Sequence, residues 1–372
     1  MGSLVHPLEP PEDGYVRLEL NIILSTLFHP GSEYMVLEKL SQTMLPAIEK
    51  ELHRALDQLE DPQTIPLQDM LTYHMGWTGE GAGPEAQGKR LRPLILLLVC
   101  SAAGGDWKTA LPAASCVELV HNFSLVHDDI QDHSDMRRGR PTVWSKWGAA
   151  QAINAGDALF ILAHMSLLDL RQKYSAEKVL EAGKIINAAC LALSSGQFMD
   201  IAFEKQKELS IEDYWPMVSG KTAALLSACT CMGAILGGAN KTSQEAYRNF
   251  GHYLGLAFQV QDDYLGIWGD SALTGKSVES DLITGKKTLP VLLGLVKKGA
   301  FSRRWLDTAE IRPDEVPALA DQLAEEGVKL QTKETADQMS DLAVQSLRET
   351  NPKGEAGEAL FTLVQWISDR QA

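Results

Sequence analysis

The chain has 372 residues, 45% of them hydrophobic, and a formal net charge of −15. A chain of this length buries one large core or two domains. The acidic balance leaves no basic stripe with which to neutralise a nucleic-acid backbone. Its basic clusters are short (Lys89-Arg90-Leu91-Arg92, Arg137-Arg138, Lys286-Lys287, Arg303-Arg304) and suit small anions better than a polyanion groove. The five cysteines are an odd number, and Cys229-Thr230-Cys231 lacks the spacing of a zinc or redox pair. They read as buried, reduced thiols of a cytoplasmic protein. The first thirty residues lack the basic start and cleavage site of a signal peptide.

Helical periodicity dominates, strand signals are scarce and no Asn-Gly hairpin turn stands out. Met35 to Leu59 reads as an amphipathic helix ended by Asp61-Pro62, and residues 1–34 before it as an N-terminal extension. Pro62 to Gly88 is a Gly- and Pro-rich loop with one short helix around Met70. Helices are expected over Leu91 to Ala103, Ala110 to Asp132, Gln151 to Leu170, Ala176 to Glu204, Ser210 to Leu236 and Ser243 to Leu265. Asp270 to Gly285 reads as a polar loop, Thr288 to Lys297 as an apolar helix and the remainder as acidic surface helices. Thr222 to Asn240 is uncharged and near the lower length of a membrane span. Its Gly, Ser, Thr and Cys content favours a buried core helix, and no other segment resembles it. The expectation is one all-α domain over residues 35–372, with ten or more helices and no membrane span.

The chemistry concentrates in two acidic runs. Asp128-Asp129-Ile130-Gln131-Asp132 closes a helix whose preceding residues, Phe123-Ser124-Leu125-Val126, are apolar or small. Positions i and i+4 share a helix face, so Asp128 and Asp132 present oxygens to one point, as a hard divalent cation requires. Asp262-Asp263 repeats the pattern at the end of the apolar stretch Gly251 to Val260. Two acidic pairs facing each other in a low-dielectric cavity repel, and bound cations or raised pKa values relieve that. Lys221 opens the Thr222 helix after Gly220, Lys276 follows Gly275 and Lys286 follows Gly285, and a Lys at a Gly-preceded helix start is a good phosphate contact. His121 lies two turns before Asp128 on the same face.

At these residues the chain resembles the trans-isoprenyl diphosphate synthases, or polyprenyl synthetase family. Gly88-Lys89-Arg90-Leu91-Arg92-Pro93, the Asp128 run with Arg137-Arg138-Gly139, Gly220-Lys221-Thr222, Phe258-Gln259-Val260-Gln261-Asp262-Asp263 and Gly285-Lys286-Lys287-Thr288 stand in the family's order between Leu37 and Val296. The resemblance implies an all-α bundle around a deep central cavity, a homodimer, and a reaction in which an allylic diphosphate ionises and isopentenyl diphosphate attacks the cation. It implies that Asp128 and Asp132 bind two Mg²⁺ ions and Asp262 a third, with Asp129 and Asp263 in support. By the same resemblance Arg137, Lys221, Thr222, Gln259, Lys276 and Lys286 hold the allylic diphosphate. Lys89, Arg92, His121 and Arg138 hold isopentenyl diphosphate.

The chain departs from the family pattern at three points, one of them the amino-terminal thirty-odd residues, which match nothing in it. Gly266 stands where many members carry a third Asp, which weakens metal affinity if that Asp matters. Gln87 stands where a second glycine is common. Phe123, five residues before Asp128, is placed to act as a floor for the growing tail, with the small Ser124 beside it. Together with the absence of an insertion in the first run, this points to a short product, geranylgeranyl (C20) or next to it farnesyl (C15) diphosphate. Two other readings remain: a class I terpene cyclase, which needs no second diphosphate site, and a non-catalytic subunit of a heteromeric prenyl synthase, which tends to lose the acidic runs.

Overall fold

The computed structural model describes residues 34–59, 62–206, 209–269, 281–307 and 310–369. The extension up to residue 33 and Lys276 lie outside the described residues. The principal helices are α1 (Met35–Leu56), α2 (Ile65–His74), α3 (Leu91–Ala102), α4 (Leu111–Gln131), α5 (Ala149–Leu168), α6 (Ala176–Lys205), α7 (Ile211–Val218), α8 (Ala224–Leu236), α9 (Lys241–Trp268), α10 (Leu289–Lys297), α11 (Val316–Glu325), α12 (Val328–Glu349) and α13 (Gly354–Asp369). The fold is all-α, as the periodicity predicts, and the boundaries move by a few residues. Local signals set several starts. Ser210 and Asp213 form a reciprocal capping box ahead of α7. The Asn240 side chain accepts the Ser243 amide at 2.9 Å to open α9.

The apolar run of α3, Leu94 to Cys100, is buried throughout, so this helix is interior. It packs against α8, α13, α4 and α1. The helix α4 runs along α5, and α9 runs along α12. A second apolar cluster gathers Tyr214, Leu256, Val260, Leu292 and Phe301 beneath the second acidic run. Tyr253 packs against both clusters. All five cysteines are free and buried, and burial pushes the Cys229 thiol up to about 12.

Four expectations change. First, α13 is not a surface helix, because Leu360, Leu363, Val364 and Ile367 join the main core. Second, Met136–Arg137 and Arg140–Pro141 form a small antiparallel hairpin. Arg138 and Gly139 turn it with φ of 51° and 71°, the positive values that a tight two-residue turn requires. Asparagine is not needed there because the Arg138 guanidinium is tied down elsewhere. Third, three helices are long and apolar enough to cross a membrane: Ile211–Leu236, Ala149–Gln172 and Ala176–Lys205. The first is mostly buried in the bundle, as expected of Thr222 to Asn240; the other two are less so, and the expectation that no other segment resembles it is corrected. Fourth, Lys221 does not open a helix. Residues Ser219–Ala223 form a π-helical turn that joins α7 to α8, with the Ala224 amide bonded to the Ser219 carbonyl.

That turn is pressed against α6. A Cβ at Gly196 would stand 2.1 Å from the Lys221 amide nitrogen, closer than any side chain allows. The backbone of Lys221 is therefore placed by the absence of a side chain at Gly196. Gly196→Ala should lower stability by about 1–3 kcal/mol, as overpacking does, seen as a reduced midpoint in urea unfolding.

Candidate active site

The helix α4 ends at the first acidic run, where the Asp132 amide bonds the Asp128 carbonyl at 2.8 Å. Asp128 and Asp132 thus sit one turn apart, as predicted. Burial raises the Asp128 carboxyl above its ordinary value; Asp132 and Asp200 add to that, while Lys221 and Arg137 oppose it. Asp129 points inward and is 1% exposed. Its Oδ1 accepts from Arg137 Nε at 2.7 Å, and its buried Oδ2 has no partner. Burial outweighs Arg137 and pushes this carboxyl up to about 6.

Asp263, on α9, is 4% exposed. Its carboxylate accepts from the Tyr214 hydroxyl at 2.8 Å, from Gln259 Nε2 at 2.9 Å and from the Leu289 amide at 3.0 Å. The last donor is the first amide of α10, a helix end that favours an anion. Gln259 Oε1 accepts from the Thr222 hydroxyl at 2.7 Å. Two predicted diphosphate contacts, Thr222 and Gln259, are therefore bonded to each other. Lys221 forms an ion pair with Asp200. Burial alone would lower the Lys286 ammonium, but Asp200, Asp281, Asp263 and Asp132 together hold it above its ordinary value. Lys286 thus lies in the field of carboxylates from both acidic runs. Asp200, Tyr214, Lys221, Thr222, Gln259, Asp263 and Lys286 line one pocket.

A second basic group forms beside α3. Arg92 donates to His121 Nε2 at 3.2 Å. Burial, then Arg92, Arg138 and Arg137, hold His121 well below the ordinary imidazole value, so the ring is neutral and carries its proton on Nδ1. The buried Arg92 Nε has no partner, a donor turned away from water. Arg138 donates to the Ala86 and Gln87 carbonyls at 3.0 and 2.9 Å. Burial, then Arg90, lowers its guanidinium to about 10. Gly88 (φ 78°) is needed because a Cβ there would lie 2.6 Å from the Arg138 guanidinium. Lys89 Nζ stands 5.2 Å from the Trp366 ring centroid. Asp262 lies in the field of Arg92, so the second acidic run reaches this group too.

Three residues escaped the sequence reading. Asp200 belongs to a Gly196-Gln197-Phe198-Met199-Asp200 stretch, whose i,i+3 polar pair in an apolar helix was a usable signal. Tyr214 carries no local signal that sets it apart from any other helical aromatic. Asp281 explains Gly266: a Cβ on that glycine would lie 2.3 Å from Asp281 Oδ2. A carboxylate brought in from another part of the chain occupies the space beside the departure from the pattern.

Among the described residues, no group of three or more His, Cys, Asp or Glu side chains converges to hold an ion alone. The donor set nevertheless fits Mg²⁺, which is commonly held by one or two carboxylates together with substrate phosphate and water. The unpartnered Asp129 Oδ2 and the raised Asp128 carboxyl are the groups that a nearby cation would relieve.

The family model described as polyprenyl synthetase matches residues 83–324. The chain belongs to the polyprenyl synthetase family. The (2E,6E)-farnesyl diphosphate synthase of Mycobacterium tuberculosis is 38% identical over 326 residues, covering 85% of this chain and 90% of that protein. The geranylgeranyl diphosphate synthase of Saccharolobus solfataricus is 36% identical over 291 residues, covering 77% and 87%. Among solved structures, geranylgeranyl pyrophosphate synthetase from Pyrococcus horikoshii superposes with a TM-score of 0.80 at 33% identity, covering 90% of this chain and 98% of that one. Polyprenyl synthetase from Streptomyces coelicolor gives 0.79 at 34%, with the same coverage. This polyprenyl synthetase shares the fold of those structures.

The buried Asp263 makes stability depend on pH. Its carboxyl sits at about 6 in the fold against an ordinary 3.8, so the folded state keeps a proton that the unfolded chain has released. The contribution is fully present below about pH 4 and is lost as pH rises through about 6. Urea unfolding should show Asp263→Asn gaining on the natural protein by roughly 2–3 kcal/mol between pH 4 and pH 7.

Proposed function

We propose that this polyprenyl synthetase is a trans-prenyltransferase that condenses isopentenyl diphosphate with an allylic diphosphate to give a short all-trans prenyl diphosphate, C20 or C15. The observation that carries the reading is the pairing of two acidic runs, at the ends of α4 and α9, with two separate groups of cationic side chains. Ionising one diphosphate while holding another needs two anion subsites. A terpene cyclase needs one, and a regulatory subunit needs no intact acidic runs, so neither alternative accounts for Lys89, Arg92, His121 and Arg138.

In this reading Asp128 and Asp132 hold two Mg²⁺ ions and Asp262 a third. Bound divalent ions supply Lewis-acid neutralisation of the charge that builds on the leaving pyrophosphate. Lys221, Lys286 and Arg137 hold the allylic diphosphate and stabilise the same developing charge; Lys276 joins them by the family resemblance. Asp263 orients the Gln259 amide, and Gln259 orients the Thr222 hydroxyl. Arg92, Arg138 and Lys89 hold isopentenyl diphosphate, with the neutral His121 ordering Arg92 without adding charge. Removing one charge-stabilising contact of this kind costs about 3 kcal/mol, or roughly 100-fold in rate. The apolar wall of α4 excludes water, which would quench the allylic cation.

The apolar wall also sets product length. Phe123 packs against Phe160 of α5 with centroids 4.9 Å apart and against His127 at 5.4 Å. The Ser124 hydroxyl turns back to the His121 carbonyl at 2.8 Å. Phe123 is the bulky element and Phe160 braces it, so the pair forms the floor.

A second copy of the chain would cover the apolar faces of α5 and α6, where Ile161, Leu168, Leu180, Leu191 and Phe198 are 55–73% exposed. Exposed apolar area on this scale marks an interaction surface, and a cytoplasmic homodimer accounts for it.

The test is product analysis with dimethylallyl, geranyl and farnesyl diphosphates, each with isopentenyl diphosphate. A C15 or C20 diphosphate that forms only with a divalent cation supports the reading; hydrocarbon from an allylic diphosphate alone overturns it. In the same chromatograms Phe123→Ala should shift products to longer chains. An unchanged distribution would put the floor elsewhere.

A further inference from the structure

The basic run Lys89-Arg90-Leu91-Arg92 reads as an anion cluster, yet its second member is taken up by the protein itself. Arg90 is 4% exposed. Its Nε donates to Glu49 at 2.6 Å, its Nη1 to Glu118 at 2.9 Å and its Nη2 to the Met75 carbonyl at 3.2 Å. All three nitrogens of the fork thus meet protein oxygens. Burial alone would lower the guanidinium, but Glu49 and Glu118 hold it above its ordinary value. Two carboxylates pair with this one cation, so its charge is balanced before any phosphate arrives.

The fork joins separate parts of the bundle. Glu49 lies on α1, Met75 directly after α2 and Glu118 on α4. Arg90 itself opens α3: its carbonyl accepts the Leu94 amide at 3.3 Å, and its backbone takes a left-handed φ of 45°. A residue with a Cβ keeps that conformation only where its surroundings impose it. The anchors are fixed in turn. Trp77 Nε1 donates to the other Glu49 oxygen at 3.0 Å, and Asn122 Nδ2 donates to Glu118 Oε1 at 3.0 Å.

The neighbours of the fork show what it positions. Arg92 is the second residue of α3. His121 follows Glu118 by three positions, on the same face of α4. Arg92 meets His121 at 3.2 Å. The Arg90–Glu118 and Arg92–His121 contacts are therefore two adjacent ties between the start of α3 and α4. Glu118 also opposes the lowering of the Arg92 guanidinium by burial.

We propose that Arg90 is a positioning residue for isopentenyl diphosphate: bonded to Glu49 and Glu118, it fixes the start of α3 on α4 so that Arg92 meets the second diphosphate, and it does not itself bind phosphate. This rests on the assignment of Arg92 and His121 to that substrate. The effect falls on one substrate only, because the allylic diphosphate is held by Lys221, Lys286 and Arg137 on other elements.

The experiment is steady-state kinetics, varying each substrate in turn, of Arg90→Lys, Glu49→Gln and Glu49→Leu, and of Arg90→Lys combined with Arg92→Ala. Arg90→Lys keeps the charge and loses the fork. It should raise the KM for isopentenyl diphosphate about 3- to 10-fold, the scale of one lost hydrogen bond, and leave the allylic KM within about twofold. Glu49→Gln keeps an oxygen for Arg90 Nε and should raise that KM less than Glu49→Leu does. In the Arg92→Ala background Arg90→Lys should add nothing, since the group it positions is gone. Should Arg90→Lys not fold, Glu49→Leu replaces it in the combination with Arg92→Ala. The proposal is overturned if both KM values rise together, if Glu49→Gln and Glu49→Leu behave alike, or if the effects multiply. Arg92→Ala with an unchanged KM for isopentenyl diphosphate overturns the subsite assignment and the role of Arg90 with it. A raised value in Arg92→Ala beside a silent Arg90→Lys overturns Arg90 alone.

Discussion

The organising constraint in this molecule is a set of carboxylates held where burial disfavours their charge. Asp128, Asp129 and Asp263 are all pushed upward by desolvation, and the acidic neighbours of Asp128 add to its cost. Much of the nearby polar structure answers that problem. Arg137 pairs with Asp129 and Lys221 with Asp200. Tyr214, Gln259 and the first amide of α10 surround Asp263. Lys286 is half-buried, yet the field of Asp200, Asp281, Asp263 and Asp132 holds its ammonium above its ordinary value. A cation bound among these carboxylates would relieve the cost of burying their charge.

The helical scaffold sets distances rather than chemistry. The glycine contact between α6 and the π-helical turn fixes Lys221 against Asp200. The small hairpin sends its arginines to three places. Arg137 goes to the first acidic run, Arg138 to the Gly88 loop, and Arg140 to the Tyr73, Thr78 and Glu80 carbonyls. A two-residue turn thereby ties the first acidic run to the loop that precedes Lys89 and Arg92, and the two groups of cationic side chains keep their spacing.

Much of this was legible in the sequence, since helices with long apolar stripes announce themselves and the acidic runs have a spacing that only a helix makes meaningful. Asp128 and Asp132 sit one helical turn apart on α4, as their spacing predicts. What was illegible depended on packing across the bundle. A π-helical turn has no periodic signature, so Lys221 read as a helix start. Asp281 fills the space beside Gly266 from fifteen residues further along the chain, and no helical or strand period reports that. The C-terminal helix falls in the stretch read as acidic surface helices, yet its Leu360, Leu363, Val364 and Ile367 form a core face, an apolar stripe that the sequence does carry. The Arg138-Gly139 turn was hidden because an arginine rarely takes a positive φ unless, as here, its side chain is anchored.

The central claim is that the two acidic runs act together, through divalent cations, on one pyrophosphate group. Calorimetric titration of inorganic pyrophosphate into the protein with and without Mg²⁺, repeated for Asp128→Asn and Asp262→Asn, addresses it directly. The account predicts binding that requires Mg²⁺ and is weakened at least tenfold, about 1.4 kcal/mol, by either substitution. Pyrophosphate binding of equal strength without the metal, or indifferent to one of the two aspartates, would contradict it.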